Sequence, residues 1–161
     1  PLGCGLSQGA GIAYVSEHLD RSRKRFVYVA MGDGELNEGN IWEAAMFAAK
    51  YRLGNLIGLV DRNYIQIDGR TEEVMPLDDL AAKWRAFGWH TIETDGNSVS
   101  GLLAALGEAR AVSDRPSAII AHTVPGRGVD FMEYDYRWHG KPPTKDQALS
   151  AIDALEADAR R

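Results

Sequence analysis

Apolar and polar positions along this chain fall into blocks whose period switches back and forth. Phe26-Val27-Tyr28-Val29-Ala30-Met31 is a short continuous apolar run rich in β-branched and aromatic residues, the pattern of a buried strand. From Glu38 to Tyr51 the period turns helical, with Ile41, Ala44, Ala45, Ala48 and Ala49 on one face and Gly54 as the stop. Leu56-Ile57-Gly58-Leu59-Val60 forms the next strand. Strand, helix, strand implies two parallel strands joined by a right-handed crossover.

The alternation continues downstream. Asp78 or Asp79 can cap a helix reaching Phe87, with Trp84 and Phe87 on the sheet side. Trp89 to Thr94 reads as a short strand, and Asp95-Gly96-Asn97-Ser98 as a turn and cap. A helix to Val112 then directs Leu102, Leu103, Leu106 and Ala109 inward, before a buried strand from Ser117 to Thr123. Upstream, Leu6 to Leu19 reads as a helix capped by Ser7 with Ile12, Val15 and Leu19 on its packed face. Thr144 and Gln147 form a capping box that opens a helix through Ala159, with Ala148, Ile152, Leu155 and Ala159 in one stripe. The predicted fold is α/β and doubly wound, a mostly parallel sheet of at least four strands with helices on both faces.

The connecting segments differ in character. Asp20 to Arg25 is a charged connector feeding the first strand at its amino end, and Arg70 to Pro76 reads as a polar loop. Val124 to Pro143 lacks periodicity and is too long to be an idle connection. It carries Gly126, Gly128, Gly140, four aromatic residues and His139, and it follows a strand's carboxyl end, where a loop can close over a ligand.

Candidate chemistry sits at the ends of the first two strands. Gly32-Asp33-Gly34 ends one and Asp61-Arg62-Asn63 ends the other. Each is ordinary turn chemistry by itself. Open parallel sheets bind ligands beyond the carboxyl ends of their strands, so neighbouring strands would let Asp33 and Asn63 converge. A carboxylate, an amide oxygen and a backbone carbonyl suit a hard cation such as Mg²⁺, whose octahedron is commonly completed by phosphate and water. The glycines flanking Asp33 let a phosphate approach the backbone, and the helix start behind them favours negative charge. The residues suggest a metal-bridged diphosphate site.

Gly32-Asp33-Gly34, the following Glu35-Leu36-Asn37-Glu38-Gly39, and Asn63 with Ile65-Gln66-Ile67-Asp68-Gly69 behind it resemble the thiamine diphosphate motif of transketolases. Gly126-Arg127-Gly128-Val129 resembles that family's Gly-x-Gly-Val segment, Trp138-His139-Gly140-Lys141-Pro142 its His-Gly-x-Pro motif, and Pro1-Leu2-Gly3-Cys4-Gly5 its cofactor-contacting loop. The resemblance implies a thiamine diphosphate-binding fold. It makes Asp33 and Asn63 side-chain ligands of Mg²⁺ (or Ca²⁺), with Ile65 a ligand through its carbonyl. Gly32, Gly34 and Glu35 would border the diphosphate, Ile67, Leu2 and Gly3 the cofactor, and His139 would be a catalytic and cofactor-contacting histidine that stabilises charge or moves protons.

The implied reaction is transfer of a two-carbon ketol unit between sugar phosphates. The implied partner is a pyrimidine-binding domain or carboxyl-terminal subunit, in an oligomer, with Glu38 at the interface between halves. Residues 1–161 would be the diphosphate-type domain without the family's amino-terminal part, consistent with a chain that opens on Pro1 inside a loop motif. Two positions depart from the family pattern: Cys4 replaces a glutamine, and Arg62 stands where transketolases often carry an acid or asparagine. Deoxyxylulose-phosphate synthase and a pyruvate dehydrogenase component share the Gly-Asp-Gly motif. A non-catalytic assembly module is the reading from another class. A plain nucleotide-binding domain lacks its Gly-x-Gly-x-x-Gly turn.

Composition narrows the field only a little. Apolar residues are 45% and charged residues 25% of 161, with a formal net charge of −5, so no basic footprint for nucleic acid is present. No apolar segment is long enough to span a bilayer and none reads as a signal peptide. Cys4 is the single cysteine, expected to be a buried small hydrophobe, and a cytoplasmic location fits. His18, His90 and His122 read as structural.

Overall fold

The computed structural model describes residues 2–20, 22 and 25–159. Helix α1 (Cys4–Tyr14) runs on into a π-helical turn (Val15–Leu19), followed by β1 (Val27–Gly32), a 3₁₀ turn (Gly34–Asn37), α2 (Gly39–Lys50) and β2 (Leu56–Arg62). A two-stranded hairpin of β3 (Ile65–Gln66) and β4 (Gly69–Arg70) comes next, then α3 (Thr71–Val74) and α4 (Leu80–Ala86). The chain closes with β5 (His90–Asp95), α5 (Val99–Ala111), β6 (Ser117–His122), a 3₁₀ turn (Tyr136–Trp138) and α6 (Lys145–Ala159). The hairpin and α3 replace the plain loop expected from Arg70 to Pro76. Their residues are too short a run to show a period.

The main sheet has four parallel strands in the order β1-β2-β6-β5. Handedness explains which helix covers which face. The chain moves one way across the sheet from β1 through β2 to β5, and its helices α2 and α4 lie on one face with α1. It then steps back from β5 to β6, and a right-handed crossover in the reverse direction must place α5 on the other face. The core divides accordingly. Leu6, Ala10, Ile41, Ala45, Trp84, Met31, Val60 and Ile120 fill the first face, and Ala105, Ala109, Ile57, Ile92 and Ile119 the second. Trp89 joins strand to helix by donating its buried indole N–H to the Ala45 carbonyl at 3.0 Å.

Small residues, not large ones, make the closest helix contacts. In α1 the buried positions are Leu6, Gly9, Ala10 and Ala13, while Ile12, Val15 and Leu19 are exposed, contrary to expectation. A Cβ on Gly9 would collide with Val29 Cγ2, so α1 rests directly on β1 and only a small side chain fits between. The helix also begins earlier than Ser7 would place it. Gly3 takes the N-cap position in the left-handed conformation, φ 80°, with no side-chain cap. In α5, Ala105 and Ala109 are buried and Leu103 is exposed. In α6, Ala151 is buried and Ile152 and Leu155 are exposed. Thr144 and Gln147 do make the reciprocal capping bonds, at 2.9 and 3.3 Å. Asp79 and Ser98 cap α4 and α5 by accepting from the backbone N–H of Ala82 and Gly101. Cys4 is half-buried rather than buried.

Candidate functional site

The register of β1 and β2 builds the site. Gly32 pairs with Asp61, and the Asp33 N–H donates to the Asp61 carbonyl at 3.1 Å, so Asp33 is fixed where the two strands stop. Its carboxylate then holds both strand ends. Oδ1 accepts from Gly34 N at 2.8 Å, and Oδ2 accepts from Tyr64 N at 2.7 Å and from Arg62 Nη1 at 3.1 Å. Asn63, one residue beyond β2, accepts from Ile65 N through Oδ1 at 3.0 Å and donates to Asp61 Oδ2 at 3.0 Å. Tyr64 turns the chain with φ 64°, an unusual value for a residue bearing a Cβ. Its ring lies 4.3 Å from the Arg62 guanidinium carbon.

Glu35 ties a second segment to this corner. One carboxylate oxygen accepts from Gly3 N at 2.9 Å and the other from Gly32 N at 3.2 Å. The amino-terminal loop is thereby latched to the end of β1. A Cβ on Gly3 would lie 2.5 Å from Asn40 Oδ1 and 2.8 Å from Glu38 Cβ, so the loop also packs closely on the start of α2.

A cavity of about 390 Å³ opens over this corner. Leu2, Gly32, Asp33, Gly34, Glu35, Asn63, Ile65, Ile67 and His139 line it, with Gln66 and Asp68 beside them. Gly3 does not line the wall; its N–H is held by Glu35. His139 follows the short 3₁₀ turn of the long loop and also borders an adjoining cavity of about 580 Å³, with Asp61, Asn63, Thr123, Pro125, Asp135 and Trp138 among its walls. Among the described residues the His139 ring has no hydrogen-bond partner. The other three histidines lie outside the first cavity. His18 packs on Tyr14, His90 pairs with Glu108, and His122 joins Tyr64 and Glu93 at 2.6 and 2.9 Å.

Charge in the floor of the site is tightly compensated. Asp33 is 1% exposed and Arg62 3%. Burial pushes the Asp33 carboxyl above its ordinary range, against the Tyr64 N–H and Arg62, which pull it down. Arg62 is itself desolvated, yet hydrogen bonds to Glu72 and Asp33 hold its guanidinium above the ordinary value.

The donor set suits a hard cation bound together with a diphosphate. Asp33, Glu35 and Asp68 bring carboxylates and Asn63 and Gln66 side-chain amides to the cavity wall, and among the described residues no group of three His, Cys, Asp or Glu could hold a metal unaided. Phosphate oxygens would have to complete the shell. Two further observations fit such a guest. A Cβ on the cavity-lining Gly32 would meet no atom within 4 Å, so the glycine leaves open space there. The buried Nε2 of Gln66, beside Gly34, has no hydrogen-bond partner among the described residues.

Sequence reasoning missed Arg62, Tyr64 and Gln66 as parts of this corner. Arg62 was visible only as a departure from a family pattern. Tyr64 acts through its backbone, which no side-chain motif reveals. Glu35 serves as a brace as well as a wall.

The family described as "Transketolase, thiamine diphosphate binding domain" matches residues 1–158. An apulose-4-phosphate transketolase subunit from Phocaeicola vulgatus is 40% identical over 151 residues, 94% of this chain and 53% of that protein. The 6-deoxy-6-sulfo-D-fructose transketolase subunit SqwG of a Clostridium species is 40% identical over 159 residues, 98% of this chain and 56% of that protein. The crystal structure of transketolase from Campylobacter jejuni superposes with a TM-score of 0.87 at 27% identity, covering 95% of this chain and 25% of that one. The chain spans about half the length of the curated subunits it matches. With the Asp33–Asn63 corner, the long loop carrying His139 and matches along nearly its full length, the chain belongs to the transketolase family, as its thiamine diphosphate-binding domain.

Proposed function

We propose that this chain is the diphosphate- and metal-binding half of a transketolase-type enzyme that moves a two-carbon ketol unit between sugar phosphates. It would act in an oligomer, joined to a pyrimidine-binding domain or subunit. The observation that carries this reading is the meeting of Asp33, Asn63, Ile65 and His139 around one cavity at the carboxyl ends of β1 and β2. Relatives named as subunits of transketolases, matched over about half their length, support the need for a partner.

Asp33 and Asn63 would hold Mg²⁺ (or Ca²⁺) through side-chain oxygens and Ile65 through its carbonyl, with the diphosphate against Gly32 and Gly34. Bound thiamine diphosphate supplies the nucleophilic carbon that the transfer requires. The chain's own residues do the rest. Leu2 and Ile67, exposed at the cavity wall, give the cofactor an apolar bed and exclude water. Glu35 keeps Leu2 in place through Gly3. His139 borders both cavities and can hold or move a proton at the substrate side. Among the described residues no helix is long and apolar enough to cross a membrane. With the single cysteine, we assign a cytoplasmic location.

Calorimetric titration of thiamine diphosphate with Mg²⁺, into this chain alone and into its mixture with a pyrimidine-domain partner, tests the reading. The expected result is binding in the mixture that Asp33→Ala abolishes. Absence of binding in a stable complex overturns it.

A further inference from the structure

Arg62 is the last residue of β2, and its side chain is almost wholly buried beside a candidate metal ligand. Nη1 donates to Asp33 Oδ2 at 3.1 Å and to Thr71 Oγ1 at 2.8 Å. Nη2 donates to Glu72 Oε1 at 2.5 Å and approaches Asp78 Oδ1 at 3.7 Å. The Tyr64 ring covers the guanidinium carbon at 4.3 Å. Glu72 is itself gripped by the Leu77 N–H, 3.2 Å from each carboxylate oxygen. The cation is held on several sides, and one of its contacts is the carboxylate that a divalent ion would use.

We propose that Arg62 is a resident counter-ion for Asp33: it compensates the buried carboxylate when no divalent ion is bound and holds it in position for one. The inference rests on the metal reading given above. Its physical basis is that a buried carboxylate stripped of its partner is strongly destabilising, whereas one already paired gains less from a second cation. The guanidinium and the ion must share Asp33, so each weakens the other's hold. Arg62 is therefore a positioning residue with a cost. It lets the domain fold without metal and lowers the metal's apparent affinity. Through Thr71 and Glu72 it also joins the 71–78 segment to the ion's site, so the ion and that segment are coupled through the way Asp33 is shared.

Thermal unfolding of this chain, in EDTA and over a titration of Mg²⁺ with inorganic pyrophosphate, separates this role from a merely structural one. In Arg62→Met the melting temperature in EDTA should fall, and Mg²⁺ should restore it with an apparent affinity about tenfold tighter than in the unaltered chain, by reduced like-charge repulsion. Asp33→Asn/Arg62→Met, which removes both charges, should regain much of the EDTA stability and lose the Mg²⁺ response. Arg62→Gln, which removes the charge but keeps a hydrogen-bonding side chain beside Asp33, should shift both readouts in the same direction as Arg62→Met, and it serves if Arg62→Met does not fold. An equal or smaller Mg²⁺ response in Arg62→Met and Arg62→Gln than in the unaltered chain overturns the inference while leaving the metal site standing. If Mg²⁺ moves none of the proteins, the inference falls, and the calorimetric titration of the complex decides whether the metal reading falls with it.

Discussion

Replacing Glu35 by alanine would cut the tie between the amino-terminal loop and the end of β1. Two backbone donors, Gly3 N at 2.9 Å and Gly32 N at 3.2 Å, lose a charged acceptor in partly buried surroundings. Hydrogen bonds to charged groups contribute about 1.5–3 kcal/mol each, and the low end applies here because water can reach the helix start at Gly3. The expected loss is about 3 kcal/mol, or a fall in melting temperature of roughly 6–12 °C for a domain of this size. Glu35→Gln keeps one acceptor oxygen and should lose about half as much. Urea unfolding followed by tryptophan fluorescence measures the loss, and amide exchange at Gly3 and Gly32 locates it. The local readout matters as much as the global one. Exchange should quicken at these two amides before the core opens. A loss below about 0.5 kcal/mol, the range of an ordinary surface change, would refute the assignment of Glu35 as a brace.

Further perturbations follow from helix packing and from the charge around Arg62. Gly9→Ala and Gly11→Ala lie in one helix yet should have opposite signs: Gly9 is against Val29, where overpacking costs about 1–3 kcal/mol, while Gly11 has nothing within 4 Å and should gain the usual ~0.5–1 kcal/mol of helix propensity. Paired urea melts check both. Glu72 is partly desolvated, but Arg62 and the Leu77 N–H outweigh that and hold its carboxyl below the ordinary value of 4.5. Its contribution is therefore present above that pH and lost as pH falls through the lowered value. Asp33, raised by burial, works with the opposite sign, since stability falls as pH rises through its titration. Glu72→Gln should flatten the acid limb of melting temperature against pH, and an unchanged limb would show that the Arg62–Glu72 contact carries no stability.

Periodicity carried the fold a long way because the central strands β2 and β6 are buried on both faces and stand out as continuous apolar runs. All four strands of the main sheet and helices α2, α4 and α5 lie where the pattern places them, within a residue or two; α3 does not, since the pattern there reads as a loop. The helix faces were less legible. Reading large apolar residues as inward put Ile12, Val15, Leu19 and Leu103 on the core side, whereas close approach to the sheet favours glycine and alanine and turns the larger residues outward. The candidate site was legible where side chains act. Asp33, Asn63 and His139 are recognisable as chemical types at strand ends and in a long loop. It was illegible where the backbone acts, at Gly3 N, Gly32 N and Tyr64 N. It was also illegible at Arg62, whose role depends on which carboxylates the hairpin and α3 bring beside it.

The pairing of β1 with β2 has a kinetic consequence. Val27 meets Leu56 and Gly32 meets Asp61 across a single crossover, so each contact closes a loop of fewer than about thirty residues, a modest entropic step. The β2–β6 pairing must instead bring Ile57 to Ser117, over twice that distance along the chain. Local contacts form faster than distant ones. The Asp33–Asn63 corner should therefore take shape early in folding, while His139 arrives only after β6 has docked. A nascent chain would hold the corner proposed for metal and phosphate before it holds His139.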